Sequence, residues 1–119
     1  MNIEEFRELC LQKKGISEEF PFDAETLVFK VMGKIFTIAP LERIPSQVNL
    51  KCDPERAIEL RETYDGIITP GYHMSKVHWN TLFLEQLPAN LITELVDHSY
   101  ELVVSKLPKK QKEALEGMI

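Results

Sequence analysis

Pro70-Gly71-Tyr72-His73-Met74-Ser75-Lys76-Val77-His78-Trp79-Asn80-Thr81 gathers two of the three histidines, the single tryptophan and a Pro-Gly turn signal. The stretch has no helical period. It reads as a loop to about Val77 that leads into a strand near His78. Two kinds of reactive chemistry are open to it. A metal would need three or four ligands with partners behind them. His73 and His78 supply two, acids are scarce between Ile67 and Leu84, and Asp97 and His98 help only if a distant helix packs beside the loop. The histidines are therefore read as hydrogen-bonding groups that tie the loop to a sheet, and no metal is expected. A nucleophile would need Cys52 with a histidine as base. Cys52 is expected on the inward side of a strand end, where desolvation raises a thiol's pKa and quiets it. No Gly-rich phosphate loop, nucleophile elbow or carboxylate pair accompanies it. No catalytic residue, no cofactor and no enzymatic activity are expected.

With 119 residues, 44% apolar and 28% charged, residues 1–119 read as one globular domain large enough to bury a single core. No apolar run approaches the roughly 20 residues of a membrane-spanning helix. Met1-Asn2-Ile3-Glu4-Glu5 is acidic where a signal peptide is basic and then apolar, so the expected compartment is the cytoplasm. Cys10 and Cys52 are expected as buried free thiols. The net charge of −5 opposes non-specific nucleic-acid binding by the chain as a whole. Its distribution is uneven: residues 30–52 carry four bases and one acid, and residues 85–105 carry four acids and no lysine or arginine. Positive charge sits on the predicted strands and the C-terminal tail, negative charge on the predicted helices.

These residues must be positioned by a small set of elements. Asn2 and Glu5 make a capping box for a helix over about 3–14, with Ile3, Phe6, Leu9 and Cys10 at helical spacing. Ser17 to Glu25 is irregular, with a short extended piece at Glu19–Phe22. Strands follow over 26–32 and 35–39, joined by a Gly33-Lys34 turn that sets Val31 opposite Phe36 and Phe29 opposite Ile38. Leu27, Phe29, Val31, Phe36 and Ile38 then face the core, and Val28, Lys30, Met32, Ile35, Thr37 and Ala39 face away. A third strand over 47–52 points Val48, Leu50 and Cys52 inward, and Asn49 and Lys51 outward. Asp53-Pro54 starts a second helix over about 54–64. Short strands come at 67–69 and 78–84. In the last, Trp79, Thr81 and Phe83 are the more apolar set and are placed inward, with His78, Asn80 and Leu82 on the other side; the alternation alone leaves the direction of Trp79 open. A long helix runs from Pro88 to Leu107, and Lys109–Met118 suits a short basic helix. The result is an α+β fold of two layers: an antiparallel five-stranded sheet with helices on one face, in the order αβββαββα.

Asn49-Leu50-Lys51-Cys52-Asp53-Pro54-Glu55, the stretch Pro70 to Thr81, and Asp97-His98-Ser99-Tyr100-Glu101-Leu102-Val103 together resemble the MmcQ/YjbR family. Phe20-Pro21-Phe22 and Leu107-Pro108-Lys109-Lys110 are similar to its flanking signatures, so the resemblance runs from about Phe6 to Lys110. It implies a two-layer fold similar to secretion chaperones. It also implies DNA binding, through likeness to the double wing domain of a phage transcription factor whose concave sheet contacts DNA. It brings no catalytic residues.

On this reading the open sheet face is the candidate nucleic-acid site, made of Lys30, Asn49, Lys51, Lys76, His78 and Asn80, with Arg43 at the rim and Thr37 as a further hydrogen-bonding group. Lysines would neutralise phosphates, amides would read base edges, and Trp79 or Tyr72 would stack on an unpaired base. Lys106, Lys109, Lys110 and Lys112 form a second patch, read as a solvated helix end. The alternative partner is a protein or a second copy of the chain, held by the apolar residues Val28, Met32 and Ile35 of the same face. No membrane contact is expected.

Overall fold

The computed structural model describes residues 1–71 and 74–118. The chain forms α1 (Ile3–Leu11), β1 (Ile16–Glu19), β2 (Thr26–Val31), β3 (Lys34–Pro40), β4 (Gln47–Lys51), α2 (Pro54–Thr63), β5 (Ile68–Pro70), β6 (Trp79–Phe83), a 3₁₀ turn at Leu84–Gln86, α3 (Ala89–Ser105) and α4 (Lys109–Glu116). The helix starts follow from the residues that cap them. Asn2 accepts the Glu5 N–H while Glu5 accepts the Asn2 N–H, and Asp53 accepts the Arg56 N–H with Pro54 in the first helical position.

The sheet is antiparallel throughout, but it has six strands, not five, in the spatial order β1-β2-β3-β4-β6-β5. The order along the chain is αββββαββαα, not αβββαββα. The additional strand, β1, lies before the extended piece expected at Glu19–Phe22. Ile16-Ser17-Glu18-Glu19 contains one apolar residue, so it shows no alternation. It is an edge strand whose charges discourage pairing with another chain.

The β2–β3 hairpin turns one residue earlier than Gly33-Lys34. Met32 (φ 49°) and Gly33 (φ 81°) are both left-handed, the conformation whose twist matches the flanking strands. Met32 accepts a strain of about 1–2 kcal/mol, and its side chain packs against the core. Val31 consequently pairs with Lys34 and Phe29 with Thr37, and the register shifts between Phe29 and Lys30. Phe36 is the extra residue of a β-bulge, so Phe36 and Thr37 both turn inward. Ala39 joins them opposite Leu27, while Ile38 turns outward opposite Val28. The expected sides of Thr37, Ile38 and Ala39 are thus reversed. The expected face of β6 is reversed as well. Leu82 packs in the core and Asn80 lies beneath α2, so Trp79, Thr81 and Phe83 face away from the helices.

All four helices pack on the face that carries Leu27, Phe29, Val31, Val48 and Leu50. Phe6 of α1 meets Phe29 edge-on, Ala57 and Leu60 come from α2, and Ile92, Leu95, Val96 and Val103 come from α3. The other face bears no helix among the described residues. Leu115 of α4 closes the core against Gly15, which is left-handed (φ +73°); a β-carbon there would lie 2.7 Å from Leu115 Cδ1 and 3.2 Å from Met32 Sδ.

Gly15→Ala is expected to cost roughly 2–4 kcal/mol, from left-handed strain plus displacement of Leu115. Gly66→Ala, also left-handed (φ +77°) but facing open space, should cost only about 1–2 kcal/mol. Urea denaturation of both variants measures the difference. Equal costs would mean that α4 does not dock through Leu115.

Candidate nucleic-acid interface

The open face is ordered by cross-strand pairs. One row runs Val28, Ile38, Asn49, Thr81 and Thr69 from β2 to β5, and the next pair along β4 and β6 is Lys51 with Trp79. The Thr81 hydroxyl donates to Asn49 Oδ1 at 2.5 Å. Asn49 is 8% exposed and Thr81 4%, although no described helix crosses them. Bonded to each other and buried, the pair forms a floor and not a freely offered reading edge. Trp79 is half-buried, and Gly71 lies against its Cβ, where any larger side chain would collide.

The Lys51 end of this face is set by α3. The β3–β4 ladder holds Thr37 to Leu50 and Ile38 to Asn49, and past the bulge the two strands part. Ser99, fully buried on α3, fills the gap: its hydroxyl donates to the Phe36 carbonyl at 2.6 Å and accepts the Lys51 N–H at 3.0 Å. Its neighbours act on other elements. Asp97 pairs with Lys13 beyond α1, and the Tyr100 hydroxyl donates to the Lys14 carbonyl at 2.7 Å. His98 Nε2 accepts the Asp53 N–H at 3.1 Å, just ahead of α2. One turn of α3 therefore binds the segment after α1, both parting strands and the start of α2.

Three of the six residues expected at the site lie on the open face. Lys51 faces out beside Trp79, Asn49 belongs to the floor, and Lys30 is paired with Glu19 at 3.2 Å. The other three do not. Asn80 is 1% exposed under α2, where its Oδ1 accepts from Arg61 Nε at 2.7 Å and its Nδ2 donates to the Ala57 carbonyl at 3.3 Å. The Cys52 N–H donates to the His78 carbonyl, which continues the β4–β6 ladder and puts His78 on the helix side opposite Cys52. The Lys76 carbonyl accepts from Arg61, and this segment lies along α2 with Pro54 and Ile58. The placements of His78 and Asn80 follow from one inversion, the setting of Trp79 inward; that of Lys76 follows from the path of the loop before β6. In the sequence Lys34 reads only as a turn residue, and Lys106 only as part of a solvated helix end. Both lie beside Lys51 where the strands part, and no local pattern announces a gap in a sheet.

Burial pushes the Cys10 thiol up to about 12 and the Cys52 thiol up to about 11, so both stay protonated at neutral pH. They are buried free cysteines. Among the described residues no three His, Cys, Asp or Glu side chains gather as metal ligands; His73, like Tyr72, lies outside the described residues. Among the described residues no helix is long and apolar enough to cross a membrane.

The fold and face define a two-layer α+β domain with one helix-covered sheet surface and one that bears no helix among the described residues. The chain belongs to the YjbR family, whose domain it matches over residues 11–102. It is 33% identical to the Escherichia coli protein YjbR over 117 residues, 97% of this chain and 98% of that one. It is 35% identical to Escherichia coli YbdF over 107 residues, 89% and 87% of the two chains; both relatives are described as uncharacterized. The crystal structure of a Deinococcus radiodurans protein with a DUF419 domain superposes with a TM-score of 0.90 at 39% identity, covering 97% of this chain and 88% of that one. A Pseudomonas syringae protein superposes with a TM-score of 0.73 at 28% identity, covering 86% and 98%.

Ser99→Ala strands the Phe36 carbonyl and the Lys51 N–H in the interior and should cost about 2–4 kcal/mol by urea denaturation. His98 gives a pH signature. Burial first, and then the Arg56 charge, hold its pKa below the ordinary 6.5, and the neutral ring is the form that accepts the Asp53 N–H. The unfolded chain therefore binds the proton more readily. This contribution is whole above about pH 6.5 and is lost as the pH falls toward the folded pKa. Denaturation between about pH 7 and pH 5.5 should show stability falling with acidification, and His98→Gln should flatten that slope.

Proposed function

We propose that the open sheet face binds nucleic acid, DNA in the first instance, as a non-catalytic cytoplasmic module that takes single-stranded segments. The observation that carries this reading is the cross-strand pair of Lys51 and Trp79. It sets an ammonium beside the only indole of the chain, the combination that holds a phosphate while an unpaired base stacks. Duplex recognition fits less well. It calls for a row of cations along the face, and here Lys30 is neutralised by Glu19 while Lys76 and His78 lie elsewhere. The buried Asn49–Thr81 floor gives few free edges for reading a groove, which favours sequence-tolerant binding.

A second reading has one observation in its favour. Ile38 and Phe83 stand on the same face, which suits a peptide or a second copy of the chain. Ile38→Glu would then break a concentration-dependent dimer in sedimentation without altering the fold.

Because Trp79 is the sole tryptophan, its fluorescence reports stacking directly. A short single-stranded oligonucleotide at low salt should quench it. Affinity should fall with salt at about 0.7 logarithmic units per phosphate contact, and Lys51→Glu should remove one such contact. Trp79→Ala, followed by anisotropy of a labelled strand, should weaken binding by about 1–3 kcal/mol. No quenching and no anisotropy change at low salt would defeat the reading.

A further inference from the structure

Beyond Thr37 and Leu50 the ladder between β3 and β4 stops, and a cleft of about 240 Å³ opens between the separating ends. Lys34, Ile35, Lys51, Val103, Lys106 and Leu107 line it. The three lysines come from three places: the start of β3, the end of β4 and the residue that ends α3. No acid lines the cleft, and none of the three lysines is in an ion pair among the described residues. Four of the fourteen lysines and arginines are paired among the described residues, and the three at the cleft are not among them. Arg7, Lys13, Lys30 and Arg56 each have a carboxylate partner, and the net charge is −5.

We propose that this cleft is a phosphate-binding site that prefers a dianionic phosphomonoester to a phosphodiester. Three ammoniums gathered without a counter-charge repel one another, and an anion between them removes that repulsion and adds attraction. The apolar walls of Ile35, Val103 and Leu107 displace water from one side and raise the effective strength of each contact. Phosphate suits the triad better than carboxylate. It offers three oxygens to three point-charge donors, and its monoester carries two charges where a carboxylate or a diester carries one. Lys106 stands at the partial negative end of α3, where a cation is favoured, and Lys34 and Lys51 stand at strand ends, so all three project from ordered elements. This deepens the nucleic-acid reading, on which it rests for the ligand's source: a strand carrying a terminal phosphate would seat that group here while its neighbouring base reaches Trp79, the cross-strand partner of Lys51. The same chemistry would also accept a free nucleotide.

The test compares the full chain with Lys34→Ala and Lys106→Ala, neither of which alters the Lys51–Trp79 pair. The probes are a 5′-phosphorylated oligonucleotide, its 5′-hydroxyl counterpart, a nucleoside monophosphate and inorganic phosphate, each titrated at low salt. The phosphorylated strand should bind about five- to tenfold more tightly than the hydroxyl strand, as expected for one further close charge contact. Each substitution should erase that advantage and leave the hydroxyl strand unaffected, with thermal melts of the variants matching the parent. Equal affinity of the two strands for the unsubstituted chain would overturn the phosphate site and leave the Trp79 reading standing. Binding of the monophosphate or inorganic phosphate that is lost in Lys106→Ala, with no strand bound at all, would keep the site and assign it to a free phosphate compound instead. Binding of none of the four probes would overturn both.

Discussion

Where β3 and β4 separate, the Phe36 carbonyl and the Lys51 N–H can no longer reach each other, and the Ser99 hydroxyl stands between them as acceptor and donor at once. A hydroxyl is one of the few side-chain groups that can do both from a single atom. The interaction lets the sheet keep a bulge and a gap without leaving buried backbone groups unpaired, a condition that native interiors rarely violate. A smaller residue would abandon both backbone groups, and a larger one would push α3 off the core.

The same turn of α3 places four consecutive polar side chains around the helix, of which Ser99 alone is fully buried. Asp97, His98, Ser99 and Tyr100 bond, in that order, to Lys13, the backbone of Asp53, the two parting strands and the backbone of Lys14. Tyr100 also lies edge-on to Phe36, whose inward turn is the bulge itself. Their positions give these residues an architectural purpose. They hold the helix layer in one registration with the sheet, and through Lys51 they fix one end of the open face. Change in this turn would therefore be felt at the face although none of the four side chains lies on it.

How much of this was legible in the sequence depends on whether a feature is local. The Asn2–Glu5 capping box, the Asp53-Pro54 helix start and the span of α3 could be read because their signals lie within a few residues. The alternation of Val48, Leu50 and Cys52 against Asn49 and Lys51 was legible for the same reason. β1 was not, because an edge strand of Ile-Ser-Glu-Glu has no apolar face to alternate. The hairpin was misread because Gly33 fits either position of a two-residue turn, and only the twist of the assembled strands selects Met32 as its partner. Trp79 was misplaced because hydrophobicity ranked it above Asn80. In the folded chain Asn80 is worth more inside, where Arg61 and the Ala57 carbonyl satisfy its amide and α2 gains a polar anchor to the sheet.

The charge pattern follows the two layers. The helices carry most of the acids, as in residues 53–66 and 85–105, and all four helices lie on one side of the sheet. A helix layer packed on a sheet lies about 10 Å from it, close to one Debye length at physiological salt, roughly 8 Å. The cleft between the parting strands and the end of α3 is lined by Lys34, Lys51 and Lys106, and an anion there meets most of the acids through screening solvent. Net charge is for that reason a poor guide to what this cleft can hold. As salt is withdrawn the acids are felt further across the sheet, so the gain from weaker screening at the lysines is partly offset by repulsion from behind. The layered arrangement favours an anion that reaches into the gap over one that lies flat across the face, because depth strengthens the near attraction faster than it strengthens the far repulsion.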